Sequence, residues 1–192
     1  MSPSSKISPD ENLVRLISEA RDKILAWQPG FTGRWLLIDV FTQHLFLLEA
    51  TELEAAWPVS TAACGLDNRR DSGGTPPGLH RVHRKIGQDA EPGMIFTSRK
   101  PTGILWQQTD DQAPEPAQDD LILSRILTLD GLEDGVNRGP GIDTRARYIY
   151  IHGTNHEQKI GLPESGGCVR MTNIDVVELF SLVEEGDPVV IL

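Results

Sequence analysis

From Trp35 onward this chain is cut into short apolar segments separated by turn residues, and that pattern restricts it to a β-rich fold. Trp35-Leu36-Leu37-Ile38-Asp39-Val40, His44-Leu45-Phe46-Leu47-Leu48 and Ala55-Ala56-Trp57-Pro58-Val59-Ser60 each have strand length, with β-branched and aromatic residues. Leu79–Ile86 alternates in the same way, and Leu121–Leu129, Arg147–Ile151 and the terminal Pro188–Leu192 continue the series. Gly73-Gly74, Pro76-Pro77-Gly78 and the glycine-rich stretch 131–141 supply the turns between them.

Helical spacing occurs at two places. Leu13, Leu16, Ile17, Ala20, Ile24 and Trp27 form one apolar stripe, preceded by Ser8-Pro9-Asp10-Glu11 as a cap and ended by Gln28-Pro29-Gly30. This predicts a helix of about five turns that packs on the body. Thr172 with Asp175 three residues later caps a second helix, running through Val176, Leu179, Phe180 and Val183 to Gly186.

With 192 residues, 39% of them hydrophobic, the chain can bury one substantial core. A net charge of −10 disfavours nucleic acid and anionic membranes as partners, because surfaces for phosphate concentrate Lys and Arg. Peptides, proteins and small molecules remain. Residues 109–120, acidic and proline-bearing, predict an exposed loop, with a lid over a groove as its functional reading. The first residues contain no uninterrupted apolar stretch after a basic start; taken as the native start they predict a cytoplasmic protein, and a trimmed periplasmic one would read the same.

Two cysteines are too few for a disulfide framework, so either can act as a thiol. Cys168 follows Gly166-Gly167 in a tight turn whose amides can face an oxyanion, and His152 ends the apolar run Tyr148-Ile149-Tyr150-Ile151, where a strand holds it rigidly at a sheet rim. A thiol of ordinary pKa about 8.5 needs an imidazole or a helix terminus to become a nucleophile. Cys168 as nucleophile and His152 as base therefore predict acyl transfer. Cys64 reads as a packing residue. His80 and His83, three apart on a strand, face opposite ways and read as surface histidines; no metal and no cofactor is expected.

His152-Gly153-Thr154, then Ser165-Gly166-Gly167-Cys168-Val169-Arg170, resembles the L,D-transpeptidase catalytic domain (YkuD-type) family, which carries His-Gly-Thr followed by Ser-His-Gly-Cys, an apolar residue and Arg. Leu37-Ile38-Asp39-Val40, Pro58-Val59-Ser60-Thr61 and Thr75-Pro76-Pro77-Gly78 are similar to further elements of that family. The resemblance covers Trp35 to Leu192. It implies a mainly β fold with α, an L,D-transpeptidase-like β-sandwich or barrel over 35–192, with a helical extension over 1–34 and a helix after the cysteine.

The resemblance also implies cleavage of the L,D-peptide bond between diaminopimelate and terminal D-alanine in peptidoglycan stem tetrapeptides. Cys168 would attack, His152 would move the proton and the carbonyl of Gly153 would orient the ring. Amides of Gly167 and Cys168 would hold the oxyanion, and Arg170, Ser165, Thr154 and Gly166 would meet substrate. Arg170 reads equally as a salt bridge bracing the loop. Gly166 stands where the family has histidine, which widens the acceptor side without touching nucleophile or base. Water as acceptor gives an L,D-carboxypeptidase acting on muropeptides in cytoplasmic recycling, the preferred expectation; an amine gives 3-3 crosslinks or D-amino-acid exchange. A decayed muropeptide-binding module is the third reading. Acylation of Cys168 by carbapenems is expected from the resemblance.

Overall fold

The computed structural model describes residues 11–106 and 120–192. The Ser8 cap and the body of the acidic loop lie outside the described residues.

Helix α1 (Glu11–Trp27) is followed by three strands, β1 (Arg34–Asp39), β2 (His44–Glu49) and β3 (Glu52–Pro58), which pair as an antiparallel meander. Next come β4 (Gly78–Ile86), the hairpin β5 (Met94–Thr97) and β6 (Lys100–Leu105), and the long β7 (Ile122–Gly131). Then follow β8 (Tyr150–Thr154), β9 (Val169–Met171), helix α2 (Asn173–Leu182) and β10 (Pro188–Ile191). β10 inserts between β1, to which it is parallel, and β4. β7 pairs with β4 and β5, and β8 joins β7 to the parallel β9.

The sheet curls until its ends meet. Just beyond β3, Ser60 bridges Arg170 on β9 through two backbone hydrogen bonds of 2.9 Å. This contact closes a barrel-like layer, as the β-sandwich or barrel expectation required, and leaves no long free edge along β9.

Period-two alternation divides the side chains. Leu36, Ile38, Leu45, Leu47, Val189 and Ile191 point inward with Leu127, Leu129, Ile151, Val169 and Met171, and α2 plugs this core with Val176, Leu179 and Phe180. The alternate residues Trp35, Leu37, Phe46, Leu48 and Val190 face outward, where Ile17, Ala20 and Ile24 of α1 cover them. The helix is therefore part of the packed body: its apolar stripe removes an otherwise exposed sheet face from water.

Three local expectations change. Tyr148 has a left-handed φ of 57°, so β8 begins at Tyr150 instead of Arg147, and the Tyr148 ring turns outward. Cys64 is exposed, its thiol 3.4 Å from the Ser72 carbonyl, and does not pack in the core. His80 is fully buried, not on the surface: its Nδ1 meets the Gly78 carbonyl at 2.9 Å and its Nε2 lies 3.1 Å from Thr144 Oγ1.

Burial disfavours the charged ring and pushes the His80 pKa down to about 4. Because the unfolded ring titrates near 6.5, stability is complete above that pH and falls as pH drops toward 4. The expected loss from this residue is about 3 kcal/mol. Urea denaturation at pH 7 and pH 4.5 should show a smaller drop for His80→Gln than for wild type.

Candidate active site

The parallel pairing of β8 with β9 assembles the site. Ile151 lies opposite Val169, His152 opposite Arg170 and Gly153 opposite Met171. Since Ile151, Val169 and Met171 enter the core, alternation sends Tyr150, His152 and Arg170 to the other face. Cys168, one residue before β9, falls opposite Tyr150, whose amide lies 3.4 Å from Sγ. Thiol and imidazole are thus diagonal neighbours on one face of the β8–β9 pair.

His152 is 1% exposed, and its Nδ1 lies 2.8 Å from the Gly153 carbonyl. A carbonyl only accepts, so Nδ1 carries the proton and Nε2 keeps its lone pair. Burial lowers the ring's pKa, with Asp120 and the Gly153 carbonyl opposing and Arg170 assisting. The resting ring is neutral and able to accept a proton at Nε2.

Burial pushes the Cys168 thiol up to about 11, against the Tyr150 amide, which favours the thiolate. Sγ also lies 3.6 Å from the Tyr148 carbonyl. The helix terminus that could have favoured a thiolate is set apart by β9, about 10 Å of extended chain. Burial thus favours the neutral thiol and the neutral imidazole together.

The turn before Cys168 is held by distant segments. Ser165 Oγ donates to the Cys168 carbonyl at 2.6 Å and accepts from the Gly167 amide at 3.2 Å. Thr75 Oγ1 donates to the Gly167 carbonyl at 3.0 Å while accepting from the Ala62 amide. The backbone of Ser165 is pinned to Thr61 and Ala63. The Ser60-Thr61 and Thr75 elements are thus the scaffold of the turn before Cys168. Gly167 has φ 128°, and a Cβ there would lie 3.2 Å from the Gly74 carbonyl.

Several positions differ from the substrate contacts expected of them. Ser165 is buried with its hydroxyl engaged in the turn. Thr154 is fully buried, its hydroxyl donating to Asp120 Oδ1 at 3.1 Å and accepting from the His156 amide. Arg170 is buried and binds Asp120 Oδ2 through Nε and Nη2 at 2.8 and 2.7 Å, and the Glu164 carbonyl through Nη1 at 3.2 Å. The Gly167 amide, expected at the oxyanion, already has Ser165 Oγ as its acceptor. Gly166 alone among these is exposed, with open space where a side chain would project.

Asp120 escaped the sequence reading, because one acid at the end of an acidic run carries no signal of its own. Asn173 also escaped it: its Nδ2 donates to the Thr154 carbonyl at 2.9 Å and to Glu157 Oε1 at 2.8 Å, tying α2 to β8.

The sequence profile of the L,D-transpeptidase catalytic domain (YkuD) matches residues 33–191, so the chain belongs to that family. YqjB of Bacillus subtilis (strain 168), named as a proposed L,D-transpeptidase, is 46% identical over 48 residues, which is 25% of this chain and 27% of that protein. YkuD of the same organism, named likewise, is 54% identical over 41 residues, 21% of this chain and 25% of YkuD. These alignments span about a quarter of the curated relatives. L,D-transpeptidase 3 from Mycobacterium tuberculosis, solved with a faropenem-derived adduct, shares the fold at TM-score 0.50 and 16% identity over 83% of this chain and 60% of that one.

The two glycines flanking the chemistry should respond oppositely to a methyl group. At Gly153 a Cβ would meet Asn173 Oδ1 at 2.5 Å and the Leu123 carbonyl at 2.8 Å, whereas at Gly166 it meets nothing within 4 Å. Gly153→Ala is expected to cost roughly 1–3 kcal/mol from overpacking and Gly166→Ala less than about 0.5 kcal/mol, read as denaturant midpoints.

Proposed function

We propose that this protein cleaves the L,D-peptide bond between diaminopimelate and terminal D-alanine in peptidoglycan stem tetrapeptides through a thioester on Cys168. The observation that carries the reading is the diagonal placement of Cys168, one residue before β9, and His152 on β8, with Nδ1 of His152 held by Gly153.

In the proposed cycle His152 Nε2 takes the thiol proton as Sγ bonds to the diaminopimelate carbonyl carbon. The tetrahedral oxyanion is met by the Cys168 amide; the Gly167 amide can join only by leaving Ser165 Oγ. Collapse breaks the C–N bond, and Nε2 returns the proton to the departing D-alanine amine. Water then attacks the thioester, giving its proton to Nε2, and the tripeptide leaves as the thiol is re-formed. Arg170, Asp120, Thr154 and Ser165 are the frame of this site, since their polar atoms hold one another and the catalytic turn.

Hydrolysis is our preferred fate because Gly166 leaves the flank of Cys168 without a side chain to hold an amine. On this reading the enzyme is an L,D-carboxypeptidase acting on muropeptides, with cytoplasmic peptidoglycan recycling as its proposed setting. No helix among the described residues is long and apolar enough to cross a membrane. Transfer to an amine is the second reading, favoured by the family match and the names of the relatives.

Wild type incubated with disaccharide tetrapeptide should release D-alanine, detected by mass spectrometry, and Cys168→Ala should release none. Absence of release by wild type sinks both readings, whereas an adduct formed with added D-amino acid at the expense of tripeptide favours transfer. Gly166→His, which has room, is expected to raise the adduct-to-tripeptide ratio.

One further outcome follows from the neutral imidazole and another from the proposed thioester chemistry. The acid limb of kcat/KM should lie below pH 6.5, because burial lowers the pKa of His152 and the unprotonated ring is the working form. A carbapenem should add its mass to wild type and not to Cys168→Ala, on intact-mass measurement.

A further inference from the structure

Peptide stems carry free carboxylates on both sides of the bond proposed to be cut, and an anion near a half-buried thiol is favoured by a cation that meets it. Two arginines, Arg147 and Arg170, act on Cys168 through their charge, and a third, Arg99, lies against the tyrosines whose backbone flanks the thiol. Arg147 directs its guanidinium at the Asp67 carbonyl, Ser72 Oγ and the Gly74 carbonyl, so its donors hold the loop 67–74. Arg170 is paired with Asp120. Arg99 is different.

Arg99 and Ser98 form the two-residue tip of the β5–β6 hairpin, between Thr97 and Lys100, which pair across it. Both tip residues have left-handed backbone, φ 51° for Ser98 and 65° for Arg99, where glycine or asparagine is ordinarily preferred. A bulky residue at such a position costs free energy locally, and a use for its side chain accounts for the cost. That side chain is held in place: the guanidinium lies 5.4 Å from the centre of the Tyr148 ring. It also hydrogen-bonds the Tyr150 phenol, and its charge and that bond both oppose the upward push of burial on the group. Tyr148 contributes its carbonyl to the surroundings of Sγ, and Tyr150 its amide. Tyr148 further lines an open cavity of about 460 Å³ with Ile149, Arg147, Arg70 and Gly166, beside the nucleophile. Arg99 is exposed, and among the described residues no carboxylate pairs with it.

We propose that Arg99, carried on the β5–β6 hairpin and steadied by Tyr148, binds a free carboxylate of the peptide substrate beside Cys168. This rests on the peptide-cleaving reading above. The carboxylate belongs either to the terminal D-alanine or to the side-chain centre of diaminopimelate; the chemistry recognised is the same. Guanidinium suits either, since its planar fork donates two parallel hydrogen bonds to one carboxylate.

Calorimetric binding to Cys168→Ala separates this arm from catalysis. Three tetrapeptides serve as probes: the free acid, the form amidated at terminal D-alanine, and the form amidated at the diaminopimelate side chain. One of the two amidations is expected to weaken binding about ten- to hundredfold, the range of one charge-assisted contact. Adding Arg99→Gln to Cys168→Ala should weaken the free acid by a similar factor and remove the penalty of that amidation, and Arg99→Lys should recover part of it. The amidation that matters identifies the carboxylate. The assignment is overturned if Arg99→Gln binds the free acid as well as its parent, if both amidation penalties survive in it, or if the free acid does not bind. The reaction itself fails separately, by absence of D-alanine release from wild type.

Discussion

Everything at the candidate site depends on one alignment, the pairing of β8 with β9 that sets His152 opposite Arg170. Because alternate residues of a strand face opposite ways, a slip of one residue in β9 would turn Cys168 and Arg170 into the core and Val169 and Met171 out of it. The apolar core forbids that slip, since Ile151, Val169 and Met171 are all fully buried in one cluster with α2. The register of the chemistry is therefore enforced by hydrophobic residues that do no chemistry. Ser60 adds a polar lock on the far edge of β9, bonding both the amide and the carbonyl of Arg170.

Burial sets the charge state of the pair. Removing the thiol and the ring from water disfavours both ionised forms, so the thiol is pushed up and the ring down. An ion pair at rest would need enough local stabilisation to overcome both effects, and the neighbours do not provide it. Asp120 favours the imidazolium but is itself paired with Arg170, and the two act on His152 in opposite directions. The site's charges largely cancel, leaving the Gly153 carbonyl to select the tautomer. In the proposed reaction such a pair works by proton removal during attack, not by display of a preformed thiolate.

The fold was legible where burial imposes alternation. β1, β2, β4 and β10 carry long apolar residues on both faces because the core lies on one side and α1 or its neighbours on the other, so they stand out as strands. β6 does not: Lys100 to Ile104 are exposed, and nothing selects for an apolar pattern there. β9 is only three residues long and reads as loop. Residue type and spacing single out Cys168 and His152, since a rigid strand end and a glycine turn leave local marks, and the fold brings the two together. Asp120 and Arg99 are not singled out, because their placement is created by tertiary pairing: Asp120 is defined by Arg170, 50 residues away, and Arg99 by Tyr148, 49 residues on. His80 misled for the same reason. Its burial is made tolerable by partners at Gly78 and Thr144 that a strand pattern does not reveal.

The turn before Cys168 shows why polar residues near a catalytic group are poor guides to substrate contact. Tight backbone geometry around Gly167 leaves amides and carbonyls that the turn itself cannot satisfy, and buried unsatisfied groups are costly. Ser165 and Thr75 meet that need from either side, one within the turn and one 92 residues away. Thr154 and Arg170 do the same for the strand ends and for Glu164. Their hydroxyls and guanidinium are therefore bound into the frame before substrate arrives. On the proposed reading, recognition falls to exposed groups instead, Arg99 at the hairpin tip and the cavity beside Tyr148, outside the motif that identifies the family.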